Sequence, residues 1–256
     1  SMLFVMMQLV SHYAPKSPTA EAYRTLRTNI LAHKGEGSVA ILVTSSGPKE
    51  GKSTSISNLA VAFSQMNSKV VLLDMDLRRP TLHSKFDLEK ENGTSDYLID
   101  PEVSIDQVIK PTGIPNLDVI TSGFIPPNPS ELIASPRTDA LLEELKSRYD
   151  FVLVDSPPLI AVTDALILTK KVDMTYLVVR CGFTDKGIIK RTKELMENVQ
   201  GRIDGIIVNG IYVQKYYSKQ NYYYYYYYYY YYYGEEVPQK QKRNVNRFLR
   251  KNKSIS

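Results

Sequence analysis

Four consecutive residues, Gly51-Lys52-Ser53-Thr54, close the stretch GPKEGKST and have the types needed to hold a polyphosphate. Glycine lets backbone amides approach phosphate oxygens, and a lysine ammonium bridges the β- and γ-phosphates. A serine hydroxyl is placed to ligate Mg²⁺, and a helix opening at this point adds partial positive charge. The candidate nucleotide-binding residues are Gly47, Pro48, Lys49, Glu50, Gly51, Lys52, Ser53 and Thr54. The strict phosphate-loop pattern asks for glycine at position 46; this chain has Ser46, with Gly47 one step later.

Three carboxylates add to this chemistry. KVVLLDMDLRRP ends in Asp74 and Asp76, two residues apart and so expected on one face of a strand end. FVLVDSPPL ends in Asp155. Carboxylates that close apolar strands beside a phosphate loop suit Mg²⁺ binding, so Ser53, Asp74, Asp76 and Asp155 form the candidate metal set. Asn209 follows the run GIIV, and its amide offers both donor and acceptor for a nucleotide base; an Asn-Gly turn is the competing reading. Arg78 and Arg79 either sense the γ-phosphate or neutralise the acidic pair. His12, His33 and His83 show no metal spacing, and the lone Cys181 is read as packing.

The elements that must position these residues alternate. Residues 38–46, 69–76, 117–123, 151–156, 174–180 and 203–210 are short β-branched apolar runs, which predict buried parallel strands. Helical patterns over 53–66, 138–148, 164–171 and 185–199 lie between them. The expected fold is α/β, a doubly wound and mainly parallel sheet of the P-loop type, with ligands beyond the carboxyl ends of the strands. Thr19 is expected to cap a helix in which Ala22, Leu26 and Ile30 form an apolar stripe. Glu21, Arg24 and Arg27 run beside that stripe; for a helix considered alone they form a solvated face with one local ion pair. Four prolines stiffen the stretch 123–136, where Ser130 or Ser135 is expected to cap the next helix. The expected organisation is a leader over 1–18, a P-loop domain over 19–211 and a tail over 212–256.

Composition excludes several classes. With 256 residues, 43% of them hydrophobic and 23% charged, the chain is neither collagen-like nor wholly disordered. One cysteine rules out an intrachain disulfide and a cysteine zinc site. The apolar run 2–10 is too short to span a membrane and lacks the basic start of a secretory signal, and Ser1 ahead of Met2 reads as the scar of a cleaved tag. The net charge of +5 lies wholly in residues 234–256, which carry seven basic and two acidic side chains. The rest of the chain is neutral, unlike a nucleic-acid-binding body, so no nucleic-acid partner is expected. Twelve consecutive tyrosines precede that basic end: Tyr222, Tyr223, Tyr224, Tyr225, Tyr226, Tyr227, Tyr228, Tyr229, Tyr230, Tyr231, Tyr232 and Tyr233. They read either as a sticky segment or as an array of phosphate acceptors on a tether.

In order and combination, the segments SPTAEAYRTLRTNI, SSGPKEGKST, VVLLDMDLRRP, GFIPPNPSELIASP, FVLVDSPP and the tyrosine cluster resemble the bacterial tyrosine kinase (BY-kinase) family. More narrowly, they resemble the cytoplasmic capsule- and exopolysaccharide-synthesis kinases of Gram-positive bacteria, the CapB type. The resemblance implies ATP and Mg²⁺ as cofactors and catalytic roles for Lys52, Asp74, Asp76 and Asp155. In it Lys52 holds the phosphates, Ser53 binds Mg²⁺, Asp74 and Asp76 form the second acidic motif (Walker A′) and Asp155 is Walker B. Asp74 is our choice for the acceptor of the phenol proton. The resemblance also makes Glu21, Arg24 and Arg27 a bridge between subunits of a ring-shaped homo-oligomer that presents tail tyrosines in trans. It further implies a membrane activator or adaptor, a tyrosine phosphatase, protein substrates in the polysaccharide pathway, and a cytoplasmic place at the inner face of the membrane. Residues 1–12 are then either the kinase's own start or a fused piece of the activator, with Phe4 able to stack on a base. The related partition and cell-division ATPases carry an extra lysine five residues before the loop lysine, where this chain has Gly47. A nucleotide-switched ATPase of that type, with the tail as membrane anchor, is the alternative reading.

Overall fold

The computed structural model describes residues 9–210. The readings made for Phe4, for Tyr222–Tyr233 and for the basic end lie outside the described residues. Seven strands form one sheet in the order β3-β4-β2-β5-β1-β6-β7. They are β1 Val39–Ser45, β2 Val70–Asp74, β3 Ile109–Pro111, β4 Leu117–Ile120, β5 Phe151–Asp155, β6 Met174–Arg180 and β7 Gly205–Asn209. Every neighbouring pair is parallel except β3 with β4. The sheet is thus mainly parallel, with helices on both faces.

The period-2 alternation of each strand divides the core in two. Val39, Ile41, Val43, Val70, Leu72, Phe151 and Leu153 belong to one apolar cluster with Ile56, Leu59 and Phe63. Those last three lie on α3 (Lys52–Ser64), the helix that starts at the phosphate loop. Phe63 and Phe151 stack with ring centroids 4.0 Å apart. Ala40, Leu42, Val71, Leu73, Val152 and Val154 face the other way, toward Leu141, Leu142 and Leu145 of α8 (Pro136–Arg148). Positions 74 and 155 have the parity of the first set, and the register pairs Asp74 with Asp155 directly. Both carboxylates therefore leave the sheet on the side of α3.

Several local expectations are corrected. The cap of α2 (Pro18–His33) is Ser17, whose hydroxyl accepts from Ala20 N at 3.2 Å. Pro18 takes the first helical position, where its fixed φ and missing N–H cost nothing, and this moves the start ahead of Thr19. The packed stripe of α2 runs through Ala20, Tyr23, Leu26 and Ile30, while Ala22 is exposed. Ser135 stands at the head of α8, yet its hydroxyl donates back to Leu132 O at 2.7 Å. Ser130 lies inside α7 (Pro129–Ala134) and donates to Asp164, so neither serine side chain caps a helix. The strand expected over 203–210 is not buried: it is a sheet edge, with Ile206 and Val208 54% and 48% exposed. The antiparallel edge strand β3 gives no apolar signal because it contains Lys110 and Pro111, which an edge tolerates.

Short helices complete the described chain: α1 Val10–Tyr13, α4 Leu82–Lys85, α5 Thr94–Ile99, α6 Ile105–Val108 and α9 Asp164–Leu168, then the longer α10 Lys186–Asn198. Helix α1 is fastened to α3. Ser11 N donates to Asn58 Oδ1 at 2.9 Å, Gln65 Nε2 donates to Ser11 O at 3.0 Å, and Leu9 is buried in the first core cluster.

Strand position predicts the response to truncation. Leu72→Ala, in a central strand, should cost about 2–5 kcal/mol of unfolding free energy. Ile206→Ala, on the exposed edge, should stay within about 0.5 kcal/mol. Denaturant unfolding followed by circular dichroism measures both, and equal losses would refute this division of the core.

Candidate active site

The phosphate loop turns sharply out of β1. Lys49 (φ 63°) and Gly51 (φ 90°) both take left-handed conformations, the kind of curl that turns successive amides toward a common anion. Gly51 is required twice over. Its φ disfavours any side chain, and a Cβ there would collide with the Asn209 amide. Glu50 is not turned out toward a ligand. It is buried, its Oε2 accepts from Gly47 N at 3.0 Å, and its Oε1 accepts from the Thr184 hydroxyl. Arg180 Nη1 adds a longer bond to Lys49 O, at 3.3 Å. The loop is thus braced by the segment after β6, a connection of about 130 residues in sequence with no local signature.

The sheet register brings Lys52 and the acids together. Lys52 Nζ donates to Asp155 Oδ1 in a buried ion pair, donates to Ser53 Oγ at 3.1 Å and lies 3.9 Å from Asp76 Oδ2. Asp74 is fully buried. Its Oδ1 accepts from Asp76 N at 3.1 Å and its Oδ2 from Leu82 N at 3.4 Å. Burial pushes the Asp74 carboxyl well above the ordinary carboxylate range, and the charges of Asp155 and Asp76 push it the same way. Burial also raises Asp155, although Lys52 beside it pulls it back. Asp76 Oδ1 accepts from Arg79 N at 3.0 Å, a turn that holds its other oxygen toward Lys52.

The remaining residues singled out from the sequence divide between the site and its surroundings. Asn209 reaches the loop, donating through Nδ2 to Glu50 O at 2.9 Å. The Arg78 guanidinium makes its hydrogen bonds away from the acidic pair, although it lies in the field of Asp76. It forms a fork with Asp164 (2.8 and 3.1 Å) and donates to Ser130 Oγ at 2.9 Å, whereas Arg79 is exposed. Glu21 and Arg24 form a local ion pair on α2, and Arg27 turns inward, Nη1 donating to Ala62 O of α3. Sequence reasoning missed Lys85. This buried lysine of α4 donates to Thr54 Oγ1 at 3.0 Å, in the field of Asp155 and Lys52. A single lysine in a four-residue helix carries no periodic signal that would have found it.

The residues fit a polyphosphate and a hard cation. Asp155 Oδ2 is buried and has no hydrogen-bond partner, and the Ser53 hydroxyl stands beside the same carboxyl. The donors are all oxygen. Among the described residues no three acidic, histidine or cysteine side chains converge as a ready-made metal cluster. That arrangement suits Mg²⁺, which is held by one or two carboxylates together with substrate phosphates rather than by an all-protein cage. Asp155 and Ser53 would hold the ion, with Asp76 at the rim.

Phosphate loop, paired acidic strand ends and parallel sheet define a P-loop nucleotide-binding domain, and a family model described as AAA domain matches residues 41–205. The chain is 42% identical over 203 residues to the tyrosine-protein kinase YwqD of Bacillus subtilis, covering 79% of this chain and 85% of that protein. It is 37% identical over 215 residues to the putative tyrosine-protein kinase CapB of Staphylococcus aureus, covering 84% and 94%. The crystal structure of the chimerical protein CapA2B2 superposes with a TM-score of 0.76 at 38% identity, covering 80% of this chain and 90% of that one. A Borrelia burgdorferi plasmid partition protein shares the fold alone, at 23% identity, a TM-score of 0.55 and coverage of 68% and 76%. The chain belongs to the bacterial tyrosine kinases, and its enzymatic class is protein-tyrosine kinase. No helix among the described residues is long and apolar enough to cross a membrane.

The raised Asp74 carboxyl has a consequence for stability. The folded chain keeps this proton to a higher pH than the unfolded chain does, so folding takes up a proton across that window and stability falls as pH rises through it. Asp74→Asn removes the titration. Without nucleotide, the variant should melt above the parent at about pH 7.5, and the gap should close as pH falls toward the ordinary carboxylate value of about 4. Differential scanning calorimetry across pH measures it, and a gap independent of pH would contradict the assignment.

Proposed function

We propose that this kinase uses ATP and a magnesium ion to phosphorylate tyrosines of its own C-terminal segment, between subunits of a ring-shaped homo-oligomer. The observation that carries the reading is the buried Lys52–Asp155 pair under a phosphate loop, in a chain that also bears twelve adjacent tyrosines. Lys52 changes partner from Asp155 to the β- and γ-phosphate oxygens when nucleotide enters. The magnesium ion supplies charge neutralisation on the phosphates. A tyrosine hydroxyl has an ordinary pKa of about 10 and needs a base. The Oη–phosphorus bond forms and the bond from the γ-phosphorus to the bridging oxygen breaks, with its electron pair leaving on ADP. The phenol proton passes to a carboxylate, for which we take Asp74 in its ionised form. Asn209 sits beside Gly51 and serves the nucleotide base.

Twelve extended residues reach at most roughly 40 Å, enough for Tyr222–Tyr233 to enter a neighbouring site. Glu21, Arg24 and Arg27 supply the contact between subunits; the first two remain partly exposed on α2. A membrane activator recruits the kinase to the inner face of the membrane. The seven basic residues of the end segment assist there at roughly 1 kcal/mol per well-placed charge. Resemblance to the capsule-type kinases supports a role in regulating capsular or extracellular polysaccharide synthesis and export, with protein substrates in that pathway and a phosphatase that resets the tail.

Purified protein incubated with Mg·ATP should gain phosphotyrosine, located past Ile211 by mass spectrometry. Lys52→Met should lose at least about a hundredfold in rate, and a chain truncated after Ile211 should bind nucleotide without being labelled. Mixing these two chains should restore labelling on the Lys52→Met partner. Phosphate found only outside the tail would defeat the reading.

Each phosphate adds about −1.5 to −2 charges, so a few overturn the +5 of residues 234–256 and set the tails against one another. Light scattering should therefore show the phosphorylated sample smaller than the unmodified one, and equal sizes would refute dissociation by phosphorylation.

A further inference from the structure

Among the described residues, Lys85 is the one buried lysine near the phosphate loop that neither the motif nor the mechanism above uses. It ends α4, a single turn that follows the Asp74–Asp76 segment and whose first residue is tied to that segment. Lys85 N donates to Thr81 O, and Leu82 N, at the start of the same turn, donates to Asp74 Oδ2. Its ammonium crosses to the first turn of α3 and donates to Thr54 Oγ1 at 3.0 Å. An ammonium is seldom buried without a task, since its desolvation is costly. Here the charge of Asp155 offsets part of the cost, while burial still lowers the proton affinity of the amine.

Thr54 is the third residue of α3, in the turn whose amides face the phosphate site. A hydroxyl has one proton and two acceptor lone pairs. When it accepts from an ammonium, its own O–H is turned away from that charge and is polarised by it, which makes it a stronger donor. The geometry points to Lys85 as a positioning residue for nucleotide. Through Thr54 Oγ1 it aims and strengthens a hydroxyl that donates to a phosphate oxygen, and it ties the acidic segment to the phosphate-loop helix. This supplies positive charge within one subunit, at a site whose loop has Gly47 in place of a second lysine. The inference deepens the nucleotide-site part of the reading above and does not depend on where the phosphoryl group goes.

A double-mutant cycle on the full chain tests it, with Mg·ATP binding measured by titration calorimetry and each variant's Tm recorded. Lys85→Met and Thr54→Val should each weaken binding about tenfold, the loss of one charge-assisted hydrogen bond. The double variant should be no more than about twofold weaker than the weaker single, because both changes remove one coupled contact. Lys85→Arg should recover most of the loss, and Lys85→Gln, which keeps a neutral donor and serves if Lys85→Met fails to fold, should fall between. Losses that multiply in the double variant would overturn the proposal, as would Lys85→Met binding as tightly as the parent. So would an affinity loss that follows a drop in Tm and is not recovered by arginine. Absent tail phosphorylation with an intact cycle would instead count against the autokinase reading alone.

Discussion

The site is organised by one electrostatic constraint. Three carboxylates, Asp74, Asp76 and Asp155, are brought into a region almost without solvent, and Asp74 and Asp155 are fully buried. Such charges persist in low dielectric only if they are paired, hydrogen-bonded or protonated. Each solution occurs here. Asp155 is paired with Lys52, Asp74 accepts two backbone N–H bonds and holds its proton to a raised pH, and Asp76 accepts backbone N–H bonds at the rim. The Lys52–Asp155 pair is therefore a stored arrangement. In the proposed mechanism a polyphosphate would give the lysine a stronger partner, and a cation would replace it at Asp155. The pair keeps both groups in place until then.

The sheet is what makes the pairing possible. Parallel neighbours in register put Asp74 opposite Asp155, and the alternation of each strand sends both side chains to the face carrying α3. A one-residue slip in β5 would point Asp155 toward α8 and leave Lys52 without its partner, and the same slip in β2 would turn Asp74 away from Asp155. The apolar residues below, Leu72 and Leu153 among them, hold that register through their burial. Core packing and site chemistry are thus one requirement, imposed at successive positions of the same strands.

Around this centre, contacts distant in sequence stiffen the loop. Glu50 is anchored by Thr184, Asn209 donates to the Glu50 carbonyl, and Lys85 donates to Thr54. These partners come from the segment after β6, the end of β7 and helix α4 after β2, so the loop and its helix are held by three neighbouring connections. Arg78 shows the opposite outcome. Its place beside the acidic pair suggests a role on that pair, but the fold offers it the buried carboxylate of Asp164, with which it makes a fork. A bidentate pair of that kind is the stronger contact.

What the sequence by itself determines is what depends on local order. Strand-forming runs, the phosphate loop, the acids at strand ends and the resemblance to a kinase family are all readable, because backbone propensity, alternation and motif spacing act over a few residues. The short helix holding Lys85, the exposure of β7 and the bracing of Glu50 by Thr184 and Asn209 were settled only by tertiary structure. Each depends on which strand lies at an edge or on which groups, tens to more than a hundred residues apart, meet when the sheet closes. A linear pattern places a charge on an element, but only packing decides which countercharge it meets and whether water is excluded between them.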